Sequence, residues 1–239
     1  MNIKLCPAFI LHQRPYRENS LLLDIFSEQF GRISLVARGS RQNKRGQSGL
    51  LQLYQPLLLS WYGQKELCTL TACEADGPRF ILKAESALCG LYLNELLVRF
   101  LPITEIDSSR LFNNYKQALD ALQSANHNEI TLRLFEKYLL NYLGYALVLD
   151  HEVETGRLID DQQRYYYQPD SGLYRWRQGL SQPSISGRSL QHLIDEQGFD
   201  KTSLNEIKHV MRTVINFYLG GKELQSRQLF GQLQQYSAK

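Results

Sequence analysis

Apolar and polar positions alternate in short runs over the first third of the chain. Ala8–His12 is an apolar stretch, "SLLLDIFS" follows at Ser20–Ser27, and "RISLVAR" at Arg32–Arg38 sets Ile33, Leu35 and Ala37 to one side. Runs of this length and period predict strands. Between the last two, "SEQFGR" reads as a tight turn in which Gly31 supplies a permissive backbone. "LQLYQPLLLSWYG" and "ELCTLTACEA" predict two further strands joined by a turn at Tyr62–Lys65. Five short strands joined by turns and one long loop predict a small closed barrel, and the OB-fold is the five-stranded candidate.

The period changes near Asp76–Pro78. Ser86–Leu101 carries Leu88, Leu91, Tyr92, Glu95, Leu96 and Phe100 near the helical repeat. "DSSRLFNNYKQALDALQS" follows, with Asp107 or Ser108 as N-cap. "NEITLRLFEKYLLNYLGY" places Ile130, Leu134, Phe135, Tyr138, Leu139 and Tyr142 on one side, with Gly144 near its end. These three segments predict one helical bundle. Residues 150–180 are polar, aromatic and rich in turns, an irregular excursion with one hairpin, Arg164–Tyr167 against Gly172–Arg177 around "QPDSG". Helices resume at Ser186–Glu196, at Ser203–Leu219 up to "GGK", and at Ser226–Gln235. The prediction is an α+β chain of two domains: a five-stranded OB-fold barrel over residues 1–80, then an α-helical bundle domain over 81–239.

Composition sharpens this picture at a few points. An apolar content of 43% suffices for a real core. The net charge is only +3, but residues 1–80 hold ten Lys/Arg against six Asp/Glu, whereas the remainder is nearly balanced. A polyanion partner is therefore expected for the first domain. Cys6, Cys68, Cys73 and Cys89 lack paired metal-ligand spacing and read as reduced, mostly buried thiols, with Cys68 and Cys73 on opposite sides of one strand because they lie five positions apart. The N-terminus has no secretory h-region, and no run approaches the roughly 18 apolar residues of a membrane span. A cytoplasmic protein is expected.

No phosphate-binding glycine loop, dinucleotide fingerprint, zinc-protease helix or serine-hydrolase elbow is present. Asp160–Asp161 could be imagined as nuclease metal ligands, but nothing nominates further carboxylates, and an exposed turn is the better reading. The five histidines are scattered. Neither catalysis nor a small-molecule substrate is expected. What stands out is a basic loop: Arg38, Arg41, Lys44 and Arg45, in a stretch without a carboxylate from Gln29 to Lys65. Phosphate backbones are met by such cations, and Gly39, Ser40 and Gly46 allow close approach. Arg14, Arg17 and Arg32 extend the patch if their strand ends share a side. Tyr54, Trp61 and Tyr62 offer stacking surfaces for bases, unless they belong to the barrel core. An RNA-binding or ribosome-associated OB adaptor fits the same features.

Four blocks, "LLLDIFSEQFGRISLVARGSR", "GLYLNELLVRFLP", "LRLFEKYLLNYLGY" and "YLGGKELQSRQLF", resemble in order and content the bacterial recombination mediators of the RecO family. That resemblance implies an N-terminal OB-fold and a C-terminal helical domain, no bond-making chemistry and no cofactor. It implies binding of single- and double-stranded DNA, annealing of complementary strands and association with the nucleoid. With RecR, in the RecF pathway, such proteins help load RecA onto DNA coated by single-strand binding protein (SSB). By the same resemblance Arg38 and Arg41 belong to the DNA face, with Lys44 and Arg45 beside them, and Arg133 meets the acidic C-terminal tail of SSB. Lys137, one turn on, would reinforce Arg133; otherwise Arg133 forms an exposed pair with Glu129. Some relatives carry a four-cysteine zinc site after the "LGY" block. Here that segment has no cysteine, so no metal is expected, and Tyr165–Tyr167, Tyr174 and Trp176 are expected to hold it by packing.

Overall fold

The computed structural model describes residues 2–40, 47–63, 67–103, 108–125 and 127–237, of which 47–48 and 233–237 by backbone alone. Five strands, β1 (Asn2–Tyr16), β2 (Ser20–Ser27), β3 (Gly31–Ala37), β4 (Leu57–Tyr62) and β5 (Leu67–Ala75), close a barrel in the order β1-β2-β3-β5-β4. A four-residue helix, α1 (Gln47–Leu50), lies between β3 and β4. The predicted strands are all present, although closure uses one parallel pairing, Ser34↔Leu67 through Val36↔Thr69. The first strand is far longer than its apolar run: Cys6 to Leu11 is almost entirely buried, Ile3 near its start also packs against the barrel core, and His12 to Pro15 towards its other end is exposed. Register shifts at Ile3/Cys6 and Ile10/His12 bend β1, so that it pairs with β4 along one half and β2 along the other.

One expectation about this barrel is overturned. Cys68 and Cys73 do not face opposite sides; both are buried in the barrel core. The cause is a bulge. Ser60 pairs with Ala72 while Trp61 pairs with Leu70, so exposed Thr71 is an extra residue that resets the alternation. All four cysteines are buried and none forms a disulfide, and burial pushes the Cys73 thiol up to about 11, so it stays protonated.

The chain divides into two compact units, residues 1–126 with 224–239, and residues 127–223. In the first, helices α2 (Ala84–Phe100) and α3 (Ser109–Gln123) pack on the barrel. Phe9 of β1 and Phe26 of β2 lie with Phe112 and Tyr115 of α3 in one aromatic cluster, ring centroids 5.2–6.1 Å apart. Within it, Tyr115 Oη donates to Asn94 Oδ1 at 2.5 Å, and Asn94 Nδ2 donates to the Leu11 carbonyl at 2.9 Å. Every polar atom of that bridge is buried and partnered, which fixes the helices to the strand in one orientation. The last helix, α7 (Gln225–Ser237), returns to this unit. Glu95 on α2 accepts from the backbone N–H groups of Gln225 and Ser226 and from Ser226 Oγ, at 2.6–2.9 Å, and so caps the start of α7 from outside the helix.

The second unit contains α4 (Asn128–Tyr142), strands β6 (Arg164–Gln168), β7 (Gly172–Arg175) and β8 (Ile185–Ser186), α5 (Gly187–Asp195) and α6 (Lys201–Tyr218). The three helices expected to form one bundle thus divide: α2 and α3 pack with the barrel, while α4 packs on α6. An amphipathic stripe declares that a helix face is covered without declaring by what. The predicted hairpin is β6–β7, extended by β8 into a three-stranded sheet. Of the aromatics expected to pack the excursion, Tyr165 and Tyr167 do so, alongside Leu173, Ile185, Leu190, Val210 and Met211, whereas Tyr166, Tyr174 and Trp176 lie outside that core and are only partly buried, because alternation along the strands turns them to the other face. Gly187 is required where it stands, since a Cβ there would collide with the Asp160 carbonyl.

Glu206 on α6 ties the sheet to α5. It accepts from Ser186 N–H and Oγ, Ser189 Oγ and Arg164 Nη2 at 2.6–2.9 Å. Burial alone would raise its pKa, but these bonds outweigh burial and hold it below the ordinary 4.5. A carboxyl depressed in the folded state stabilises fully above its unfolded pKa, and that contribution disappears as pH falls through the folded value. Glu206→Gln is therefore expected to lower the melting temperature at pH 7, with the gap to the parent closing as pH drops below 4.5. Calorimetry from neutral to strongly acidic pH measures this; a gap that persists at the acid end contradicts it.

Candidate nucleic-acid interface

The outward face of β1, β2, β3 and β5 carries a cleft of about 410 Å³ lined by Tyr16, Arg17, Ser20, Val36, Arg38, Leu67, Cys68 and Thr69. Strand registry explains the convergence. Tyr16 pairs with Ser20, Leu22 with Val36, and Val36 with Thr69. Positions opposite one another share a face, while the intervening Leu23, Leu35 and Cys68 belong to the core. Arg17 stands in the β1–β2 turn at φ 52, its guanidinium 5.3 Å from the centroid of the Tyr16 ring. Arg38 leaves the end of β3, just ahead of the basic loop, and is exposed. OB-folds bind oligonucleotides on the face of strands 2 and 3, flanked by the loops between strands 1 and 2 and between 4 and 5. The cleft occupies that place.

Of the predicted cations, Arg17 and Arg38 meet in the cleft, and Arg14 is exposed two residues before Tyr16 on the same side of β1. No ion pair among the described residues engages Arg14 or Arg38. Arg41, Lys44 and Arg45 lie outside the described residues. Arg32 is placed differently. Its Nη1 donates to the carbonyls of Val98 and Leu101 at 2.7 and 3.2 Å, and its Nη2 donates to Asp24 Oδ1 at 3.3 Å. It thereby satisfies the carbonyl end of α2, where a cation is favoured by the helix dipole, and it is not a solvent-facing charge.

The expected stacking residues also separate. Trp61 is in the barrel core, edge-on to Phe30 at 5.7 Å. Tyr54 is buried beside Gly90 of α2, where an added Cβ would come within 3.0 Å of its ring. Tyr62 alone of the three is well exposed. The aromatic that reaches the cleft is Tyr16, which sequence inspection missed although "PYRENS" marks it as the last residue before a turn.

On α4, Arg133 is buried and pairs through Nη2 with buried Glu136 Oε1 at 2.9 Å. The exposed pair expected with Glu129 does not form; Glu129 binds Lys208 at 3.0 Å instead. Lys137 Nζ donates to the Leu193 and Ile194 carbonyls at 2.8 and 3.3 Å, closing the C-terminal end of α5, and pairs with exposed Glu196 at 2.8 Å. Asp160 and Asp161 are exposed in a turn, where Asp160 Oδ1 accepts from Gln162 N–H. Among the described residues no group of three metal-ligating side chains converges, and no helix is long and apolar enough to cross a membrane.

The comparisons with known proteins cover nearly the whole chain. Residues 1–78 match the family model "Recombination protein O N terminal" and residues 82–228 match "Recombination protein O C terminal". A protein named DNA repair protein RecO from Nitrosococcus oceani is 42% identical over 234 residues, 98% of this chain and 95% of its own. Proteins of the same name from Coxiella burnetii, at 42% identity over 95% of this chain and 97% of theirs, and from Dechloromonas aromatica, at 39% over 96% of both, are equally collinear. An OB-type barrel followed by six helices, with both family models matched in order and relatives this similar end to end, makes the chain a member of the RecO family of DNA repair proteins.

Proposed function

We propose that this protein is a non-enzymatic recombination mediator. It holds single- and double-stranded DNA by phosphate contacts, anneals complementary strands and, with RecR, helps load RecA on SSB-coated DNA. The observation that carries this reading is the convergence of Arg17 and Arg38 with the Tyr16 ring on the oligonucleotide face of the barrel. Phosphate contacts hold any sequence equally, and a ring beside them accepts any base; annealing needs that indifference. The relatives named DNA repair protein RecO support the same assignment. Arg17→Ala/Arg38→Ala is expected to weaken binding of a fluorescent single strand about tenfold or more in low salt, at about 1 kcal/mol for each charge-assisted hydrogen bond removed, and to slow annealing of complementary strands. Anisotropy titrations and annealing rates equal to the parent's remove the cleft from the function.

The SSB tail is assigned to α4 around Lys137 and Arg133. What supports Lys137 is its accessible pairing with Glu196. An exposed pair of this kind contributes only about 0–1 kcal/mol, so a tail carboxylate can exchange with Glu196 at little cost. Arg133, on the same helix, is paired with buried Glu136 and supports the site through the packing of that helix face.

A further inference from the structure

The sheet β7-β6-β8 packs one face on the core of the second unit through Tyr165, Tyr167, Leu173 and Ile185. Antiparallel sheets with one buried face ordinarily turn polar residues outward. Here the outward positions are Tyr166 on the central strand, Tyr174 directly opposite it, and Arg164 opposite Trp176. The Tyr166 and Tyr174 rings stack with centroids 5.4 Å apart and planes 18° from parallel. Trp176 is fixed by its indole N–H, which donates to the Gln182 carbonyl at 3.2 Å. All three rings are partly exposed.

The charge around these rings has one sign at one end. No Asp or Glu occurs from Ser171 to Ile194, whereas Arg175, Arg177 and Arg188 do. Arg175 turns inward to Glu152 at 2.9 Å and Arg164 neutralises Glu206; Arg177 and Arg188 are exposed, and Arg177 is the one next to Trp176. The hairpin's own carboxylate, Asp170, is at the opposite end, where it accepts from Tyr218 Oη at 2.6 Å. Asp160 and Asp161 precede the sheet in their turn.

We propose that this face is a second binding surface for single-stranded DNA, separate from the barrel cleft, on which bases stack against Tyr166, Tyr174 and Trp176 while Arg177 meets the phosphates. A planar ring set on rigid strands loses little freedom when a base covers it, and every base has a π-face to offer.

The chain's two tryptophans make the proposal directly readable. Trp61 is buried in the barrel and Trp176 is partly exposed, so emission quenched by an oligothymidylate reports the sheet, and Trp176→Phe abolishes the response. Tyr166→Ala/Tyr174→Ala is expected to raise the quenching midpoint about fivefold or more, the loss of one stacked base, whereas Tyr166→Phe/Tyr174→Phe keeps the parent's midpoint. Arg177→Glu, a surface change that leaves the core intact, is expected to raise the midpoint and weaken its salt dependence. Arg17→Ala/Arg38→Ala is expected to retain the quenching, so failure of the cleft and failure of the sheet are distinguishable. Strand binding seen by anisotropy while Trp176 emission stays unmoved overturns the proposal and assigns the face to protein contacts. Midpoints unchanged in both Arg177→Glu and the alanine pair overturn it equally.

Discussion

Arg133→Ala is expected to destabilise the second unit by about 3–5 kcal/mol, a large share of the stability of an ordinary domain. The reason lies in what remains. Glu136 is fully buried, with Arg133 Nη2 at 2.9 Å and itself nearly buried. Removing the guanidinium takes the countercharge away from a carboxylate in a low-dielectric interior, which is costly to bury. Replacing both partners avoids that penalty, and Arg133→Met/Glu136→Leu is expected to recover most of the loss. Urea unfolding followed by circular dichroism checks both variants; parent-like unfolding of Arg133→Ala excludes a buried pair. The consequence for partner binding is practical. Loss of SSB-tail affinity in Arg133→Ala would report a damaged helix face, whereas Lys137→Ala removes a partly exposed side chain and its contacts to the α5 carbonyls but strands no buried charge, and is the cleaner test of the tail site.

How much of this was legible in the residues depends on the range of the interaction concerned. Alternation over "SLLLDIFS" and "RISLVAR" specifies strands because each residue's face depends only on its neighbours. The bulge at Thr71 breaks that rule through a pairing with β4, and no local signal announces it. The change from strands to helices after Pro78 is visible in the period, but the assignment of α2 and α3 to the barrel rests on Asn94 meeting Leu11 and Phe112 meeting Phe9 and Phe26. Charge behaves the same way. Arg38 is read correctly as exposed, because it stands at a strand end before glycine and serine. Arg32 and Arg133 look identical to it in sequence, yet both are held by groups inside their own unit, the carbonyls of α2 and the carboxylate of Glu136. The resemblance supplied the family; it could not supply which arginines face solvent.

Simultaneous replacement of Arg38, Arg41, Lys44 and Arg45 by alanine is expected to flatten the salt dependence of single-strand binding by about three units of log K per log of salt concentration, at roughly 0.7 for each phosphate no longer neutralised. Over a fourfold rise, from about 50 to about 200 mM, the parent should therefore lose about 50-fold more affinity than the variant. This slope is a sharper test than affinity alone. A mutation that merely loosens the barrel lowers affinity at every salt concentration without changing how many counterions leave the strand. Arg32→Ala supplies the comparison: its guanidinium holds the Val98 and Leu101 carbonyls and Asp24, so the slope should stay at the parent's value while the melting temperature falls. Arg14→Ala, with one exposed cation removed from the margin of the cleft face, should shift the slope by no more than about 0.7. If the fourfold variant and Arg32→Ala gave the same slope, the loop cations would not be meeting phosphates, and binding by the barrel would have to be sought on another surface.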